Sequence, residues 1–289
     1  MKKIRMIAFI CLLTLSLCAC SFQVGELYPD ADRYSAGDAV ISEKVETLII
    51  DWASGSVTIE PGDGEAIELR ETGNQPTKEE QQLQYYLDGT TLHVRFCASA
   101  KVMVGIMAEK SLRVTLPKDL VLKELDVSTA SAELHVADAR AERMKLGTAS
   151  GEISGTVAYA GELRLGSASG EIDIAASGEI EKLEGDTASG AIRLRAESVR
   201  ELEMDSASGK LDVELASAPR ECELENASGD ISLRLPADAE FTAEVDTASG
   251  DFNCDFPTVR HGDSYICGNG SAELSFDTAS GNITIIKKD

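Results

Sequence analysis

One short motif, Ala-Ser-Gly or a near copy of it, returns along this chain at almost constant intervals of about 20 residues. The serines at the centre of the motif are Ser54, Ser131, Ser150, Ser169, Ser189, Ser208, Ser228, Ser249 and Ser280. A fixed period of this length is typical of proteins built from stacked repeats, in which one repeat cannot bury its apolar face alone. The period therefore constrains the fold more than any other feature of the sequence.

Each of these serines is flanked on both sides by alternating apolar residues. Around Ser208 the alternating residues are Leu202, Met204, Leu211 and Val213. Alternation with period two on both sides of a glycine-bearing corner predicts a strand, a tight turn and a second strand. Stacked at the spacing of β-strands, about 4.8 Å, such repeats form a continuous apolar column. The sequence thus predicts an all-β, single-domain β-solenoid or β-helix-like stack.

The residues next to each serine also have predicted roles. A glycine follows the serine in every repeat except the one that contains Ala132, which suits either a positive φ or a close approach between repeats. A small polar side chain stands two positions before most of the serines, where stacking predicts a ladder of mutual hydrogen bonds. The ladder residues are Thr129, Thr148, Ser167, Thr187, Ser206, Asn226, Thr247 and Thr278.

The first residues predict export and lipid attachment. A basic start precedes an apolar stretch over residues 6–17 that is too short for a lasting transmembrane helix. The stretch ends in Leu-Cys-Ala-Cys, which resembles a bacterial lipobox. On that resemblance, residues 1–19 are a lipoprotein signal peptide and Cys20 is the lipidated first residue of the mature chain. Acyl chains on Cys20 would hold the protein on the extracytoplasmic face of the cell membrane. Ordinary secretory cleavage nearby is the alternative.

The remaining chain divides into a tether and one repeat domain. Residues 20–44 are polar and irregular and are expected to form the lipidated N-terminus and tether. Residues 45–289 are expected to form the solenoid, with a less regular capping part at 45–120 and regular coils at 121–289.

Within the capping part, the turn residues predict two local units. Residues 45–70 read as a hairpin-like unit that turns at Pro61-Gly62-Asp63-Gly64. Residues 85–96 read as a hairpin that turns at Asp88-Gly89. The charged connection at 71–84 predicts a short helix or a flexible loop.

Composition excludes some classes of partner. The formal net charge is −23, which argues against nucleic acid or anionic lipid as a direct ligand. The dispersed histidines and the absence of Cys-x-x-Cys predict no metal site, and no cofactor is expected. Cys254 and Cys267 flank the long interval before Ser280, so in an exported protein they could form a disulfide or remain separate thiols.

An acidic residue stands three positions before several of the serines. This acidic row consists of Asp51, Asp186, Asp205, Glu225, Asp246 and Asp277. In a stack these carboxylates would lie about 5 Å apart and repel one another unless cations offset them. Calcium accepts such oxygens, although the spacing differs from that of the calcium-binding nonapeptide repeat. The row therefore predicts either a solvated face or a calcium site.

Several longer stretches resemble a known family. Residues 48–57 read LIIDWASGSV, residues 112–117 read LRVTLP, and residues 277–283 read DTASGNI. Together with the order and number of the coils, they resemble the bacterial DUF4097 family, whose members carry an adhesin label. The resemblance covers about residues 28–287. It implies a β-solenoid-like fold at the cell surface or attached to the membrane, and it implies no catalytic residue.

These observations lead to one functional hypothesis with two alternatives. The first is a non-enzymatic, lipid-anchored surface protein, an adhesin or envelope scaffold whose strand faces contact an unknown macromolecular partner. The second is an accessory component of envelope-stress sensing that binds a membrane sensor or a cationic peptide. The third, a serine hydrolase, is disfavoured because none of the corner serines lies in Gly-x-Ser-x-Gly or Ser-x-x-Lys. No histidine recurs beside them to act as a base.

Overall fold

The computed structural model describes residues 28–73, 78–98 and 110–288, so the predicted signal peptide and the predicted lipidation site Cys20 lie outside the described residues. The described chain contains two short 3-10 helices, Ala31–Arg33 and Glu79–Gln81. The strands in chain order are β1 (Ser35–Ala36), β2 (Ala39–Ile41), β3 (Thr47–Trp52), β4 (Gly55–Gly62), β5 (Ile67–Gly73), β6 (Gln84–Asp88), β7 (Thr91–Arg95), β8 (Lys110–Pro117), β9 (Leu122–Thr129), β10 (Glu133–Thr148), β11 (Ile153–Ser167), β12 (Ile172–Thr187), β13 (Ile192–Ser206), β14 (Leu211–Leu215), β15 (Glu221–Asn226), β16 (Ile231–Pro236), β17 (Phe241–Thr247), β18 (Phe252–Cys254), β19 (Val259–His261), β20 (Ser264–Cys267), β21 (Ala272–Thr278) and β22 (Ile283–Lys288).

A regular coil consists of a leading strand, the Ala-Ser-Gly corner and a trailing strand. The long strands β10 to β13 each supply the trailing strand of one coil and the leading strand of the next, with a register shift at the bend between them. Neighbouring coils pair in parallel, so that Leu134 lies opposite Ile153 and Leu146 opposite Leu165. A sequence period near 20 therefore brings equivalent residues side by side. The predicted all-β, solenoid-like fold is confirmed.

The corner serines form a single row, the corner file. At its last end, the order of the serines in this row differs from their order in the chain. Backbone hydrogen bonds link the corners in the order Ser54, Ser131, Ser150, Ser169, Ser189, Ser208, Ser228, Ser280, Ser249. β21 lies between β15 and β17, and β22 lies between β16 and β18. The last coil of the sequence is thus enclosed in the stack, whereas chain order alone would place it outermost.

The same arrangement occurs at the other end of the column. β3 lies between β7 and β9, and β4 lies between β8 and β10. The first coil of the chain is therefore enclosed by strands that come later in the sequence. Because both terminal coils are hydrogen-bonded on two sides, they are protected from the fraying that is common at chain ends.

Antiparallel strands cover both ends of the column. At the first end β6 pairs with β7 and β5 pairs with β8, while at the last end β20 pairs with β17. The hairpin predicted at Asp88-Gly89 is confirmed as β6 and β7. The hairpin-like unit predicted at 45–70 is wrong, because β8 lies between β4 and β5. The connection at 71–84 begins as the end of β5 and includes the helix Glu79–Gln81.

The apolar column is aliphatic along its length and aromatic at its ends. Leu and Ile side chains such as Leu194 and Ile172 are fully buried, and each contributes roughly 1.5–3 kcal/mol by leaving water. Among the described Phe, Tyr and Trp residues, Tyr159 alone lies away from the two ends. Ring contacts there include Trp52 with Phe96 at 5.0 Å and Phe241 with Phe256 at 5.2 Å between centroids. Large rings cover the final apolar layer where no further coil can do so.

Candidate functional site

The corner file exposes a row of serine hydroxyls along one side of the column. Ser150, Ser169, Ser189 and Ser208 are exposed, and each hydroxyl donates to an alanine carbonyl of the neighbouring coil at 3.3–3.4 Å. Hydrogen bonds of this length are weak. Ser54 at the first end is buried instead. The row therefore combines a stacking role with a regular, solvent-facing edge.

The described histidines are scattered with respect to this file. His135 Nδ1 contacts Ser154 Oγ at 3.4 Å, and Ser154 is not a corner residue. His93 lies on β7 and His261 lies on β19, at opposite ends of the column. The described histidines therefore do not recur along the corner file.

Close approach of neighbouring coils explains most of the corner glycines. A Cβ added to Gly209 would lie 1.8 Å from the carbonyl oxygen of Gly190, and one added to Gly281 would lie 2.3 Å from that of Gly229. A φ in the left-handed range occurs at Gly55, whose φ is 89°. The repeat with Ala132 also stays in the file, since the Ser131 amide donates to the Ala53 carbonyl at 2.9 Å.

The buried polar ladder behind the corners acts mainly within each coil. Thr148, Thr187 and Ser206 each accept the amide of the glycine three residues later, at 2.8–2.9 Å. Thr129 additionally donates to Thr148 at 2.9 Å, which is the kind of bond that the sequence predicted along the whole ladder. These side chains therefore fix the turn of their own coil more than they join one coil to another.

The leading strands change from mixed charge to uniform acidity along the column. One row of opposed residues begins Asp126, Lys145, Arg164 and Glu184, so that signs mix, and continues as Glu203 and Glu223. Most of the predicted acidic row comes together in the later coils, in the spatial order Asp186, Asp205, Glu225, Asp277, Asp246. Asp51 lies at the other end, in an ion pair with Arg95.

Burial and mutual repulsion raise the pKa values of three carboxyls in this acidic row. Desolvation, followed by repulsion from neighbouring carboxylates, raises the pKa of Asp186 to about 6 and that of Asp205 to about 7. The same causes raise the pKa of Glu225 to about 7, with Glu223 as its first charged neighbour. Within the described residues, no Lys or Arg nitrogen lies within 4.0 Å of these three carboxylates.

The arrangement of the acidic row also bears on metal binding. In the described parts of the chain, no group of three or more His, Cys, Asp or Glu side chains has an arrangement that could hold a metal ion. Carboxylates spread along a flat strand face approach a cation from one side, whereas calcium requires six to eight oxygens around it.

Comparison with known proteins establishes the family. The sequence model of a family described as Toastrack DUF4097 matches residues 45–286. The chain belongs to the DUF4097 family. No curated protein matches the sequence.

Solved structures from Bacteroides and Parabacteroides are similar to this chain, and the first of them shows the same fold. A candidate adhesin from Bacteroides fragilis is 13% identical with a TM-score of 0.50, over 88% of this chain and 97% of that one. A candidate lipid-binding protein from Parabacteroides distasonis is 18% identical, with a TM-score of 0.46 and coverage of 88% and 97%. A candidate adhesin from the same species is 10% identical, with a TM-score of 0.41 and the same coverage of 88% and 97%.

The cysteines of this DUF4097 protein are separate thiols in the described residues. Cys254 on β18 donates to the Phe256 carbonyl at 3.9 Å, and Cys267 on β20 donates to the Ala239 carbonyl at 3.5 Å. Burial raises the pKa of both thiols. The disulfide considered from the sequence is therefore not formed in the structure. Cys222 is buried in the apolar column, where a small apolar residue is expected.

A buried ion pair at the first end escaped sequence reasoning. Lys110 Nζ lies 2.9 Å from Glu71 Oε2 and donates to the Gln81 carbonyl at 2.8 Å, with 1% of the Lys110 side chain exposed. The ammonium lies 4.2 Å from the centroid of Phe96, and burial lowers the pKa of Lys110. A single lysine next to a loop carries no sequence signal for such a pair. Because its donors are satisfied by protein groups, the pair belongs to the cap of the DUF4097 column.

Proposed function

We propose that this DUF4097 protein is a non-enzymatic, lipid-anchored protein of the bacterial envelope that displays its strand faces to another macromolecule. The carrying observation is the continuous column, which holds the exposed corner file and the acidic leading faces in a fixed, repeating array. A rigid array of shallow features suits extended contact with a large partner better than it suits enclosure of a small substrate. Structural neighbours described as candidate adhesins agree with this role.

The position of Tyr28 indicates which end of the column would lie near the membrane if Cys20 carried a lipid. Tyr28 donates to the Cys97 carbonyl at 3.3 Å, and its ring lies 4.8 Å from that of Tyr34, which places it at the first end. The eight residues from Cys20 to Tyr28 span at most about 29 Å when fully extended. A lipid on Cys20 would therefore keep the first end near the membrane, and the acidic coils would be displayed from the last end. In the described residues no helix is long and apolar enough to cross a bilayer.

The anchor is tested by replacing Cys20 with serine. We expect the natural protein to take up a labelled palmitate analogue and to sediment with membranes, whereas Cys20→Ser takes up no label and leaves the membrane fraction. Cys18→Ser is the matched control and should behave like the natural protein. Labelling of Cys20→Ser, or loss of labelling in Cys18→Ser, would contradict attachment at Cys20.

The partner is tested by photocrosslinking on intact cells. A photoreactive residue at Glu203, on the acidic leading face, should give a discrete crosslinked product with an envelope macromolecule. The same residue at Gly64, which lies in an exposed turn at the first end, serves as the control. Identical products from both positions, or no product at Glu203, would show that the leading face is not the contact surface.

The acidic rows favour one alternative function, an accessory role in envelope-stress sensing through binding of a membrane sensor or a cationic peptide. Opposite charge would attract such a partner, and salt would weaken the attraction. A synthetic Lys-rich and Arg-rich peptide should bind in low salt and lose affinity in high salt and in Asp205→Asn/Glu225→Gln. Absence of binding in low salt would exclude this alternative for cationic peptides.

A further inference from the structure

The seam where the last coil enters the stack carries like charges in direct register. Asp205 lies opposite Asp186 on one side and Glu225 on the other, and Glu225 lies opposite Asp277 on β21. Parallel strands bring these positions to roughly 4.8 Å from one another. Like charges directly opposite in a sheet are destabilising. Asp186, Asp205 and Glu225 are also only partly exposed, so water screens their repulsion less than on an open surface.

The described Lys and Arg side chains form ion pairs with carboxylates around Asp186, Asp205 and Glu225 but not with these three. Arg164 on β11 lies 3.3 Å from Glu184, and Lys182 on β12 lies 4.0 Å from Glu203. Arg220, before β15, pairs with Glu201 and Glu221. Beyond the corner, Lys210 lies 3.6 Å from Asp212 on β14.

The other strands that face the centre add further acids. β15 presents Glu223, β21 presents Asp277 and, four residues earlier, Glu273, and β17 presents Glu244 and Asp246. The described charged neighbours of Asp205 and Glu225 on β12, β13, β15 and β21 are thus carboxylates apart from Lys182.

We propose that Asp186, Asp205 and Glu225 form a proton-responsive latch, which holds the enclosed last coil when the carboxyls are protonated and loosens it when they ionise. Protonation removes the repulsion between neighbouring strands across β12, β13, β15 and β21. Ionisation restores the repulsion next to β21, which is held between β15 and β17, two strands that precede it in the chain.

The raised pKa values give the sign of the effect. Unfolded Asp and Glu have pKa values of about 3.9 and about 4.3, whereas the folded carboxyls have values of about 6 to about 7. Between these limits the folded protein binds more protons than the unfolded chain. The contribution of these carboxyls to stability is therefore fully present below the unfolded pKa and is lost as pH rises through the folded values.

The latch is tested by thermal unfolding between about pH 5 and about pH 8. The natural protein should melt at least about 5 °C higher at the acidic limit. In Asp205→Asn/Glu225→Gln the difference between the two limits should shrink to less than half, and the variant should exceed the natural protein at the alkaline limit. The three histidines lie on β7, β10 and β19, outside the seam, and both proteins carry them, so the comparison isolates the latch.

Asp173→Asn is the matched control, because Asp173 lies 2.9 Å from Arg193 and 2.7 Å from Arg195. This variant should keep the full pH difference of the natural protein. The proposal is overturned if the natural protein melts at the same temperature at both limits, or if Asp205→Asn/Glu225→Gln keeps its full difference.

Hydrogen exchange gives a readout that needs no variant. After correction for the intrinsic effect of pH, amides of β15 and β21 should lose protection at the alkaline limit relative to amides of β9. Equal protection of β15 and β21 at both limits would also overturn the latch.

Discussion

At the regular corners, glycine lets the backbones of two coils approach closely. The glycine of each regular corner lies against the backbone of the next coil, so no side chain can turn aside to make room. The serine beside it is exposed in the coils of Ser150, Ser169, Ser189 and Ser208, while the buried Thr or Ser before it caps the turn. The motif is small for steric reasons, and its repetition reflects repeated contact between backbones.

Gly209→Ala tests this explanation. Its Cβ would lie 1.8 Å from the Gly190 carbonyl oxygen, which is fixed in the stack, so we expect a loss of about 1–3 kcal/mol in the free energy of unfolding. In Gly64→Ala the new Cβ meets nothing within 4 Å, and the change should stay within about 0.5 kcal/mol. Chemical denaturation measures both. Equal effects in the two variants would contradict close approach as the reason for the corner glycine.

At the scale of strands, the unusual feature is that the two terminal coils are enclosed. β21 and β22 form the end of the described chain, yet each has a parallel neighbour on both sides. The open positions at the last end belong instead to β18 and β19, which are short. Short edge strands offer little backbone for pairing with other molecules. The chain thus places its end inside the stack and leaves only short strands at the margin.

Hydrogen exchange of the natural protein checks this arrangement at constant pH. Amides of β22 should exchange as slowly as those of β16, because opening either strand breaks two ladders of hydrogen bonds. Amides of β19, which pairs with β20 along one edge, should exchange at least about tenfold faster. Fast exchange in β22 with slow exchange in β19 would mean that the last coil lies at the outside.

For the whole molecule, the ends matter as much as the repeat. Aliphatic side chains fill the length of the column, while aromatic rings and antiparallel strands cover both ends. The Lys110–Glu71 pair contributes to the cover at the first end. A stacked repeat has no intrinsic terminus, so without such covers its final layer would expose apolar surface and unpaired backbone.

A chain shortened to residues 1–208 tests the need for the last cover. It would end within the regular stack, with an uncovered strand and an open apolar layer, and we expect it to self-associate. Light scattering coupled to size exclusion would show multimers, and a hydrophobic dye would bind more strongly than to the full chain. A shortened chain that remains monomeric and folded would contradict the continuous column.

The acidic row shows how far sequence reasoning reached into the candidate site. Asp186, Asp205 and Glu225 were predicted as stacked neighbours and are neighbours in the structure. Asp51 belonged to the same sequence pattern but pairs with Arg95, since it lies in a different neighbourhood of strands. The pattern identifies positions within a coil, whereas the charges that surround each position depend on which coils are adjacent.

By itself the sequence determined the repeat, the corners, the inward residues and the all-β fold, because period-two alternation around a small corner is a local property. Tertiary structure alone decided the order of the terminal coils, the position of β8 between β4 and β5, and the buried partnership of Lys110 with Glu71. The physical reason is that nearly equivalent strands can pair with any coil of matching face and register. Which coil becomes the neighbour then depends on the long-range contacts that cover the two ends of the column.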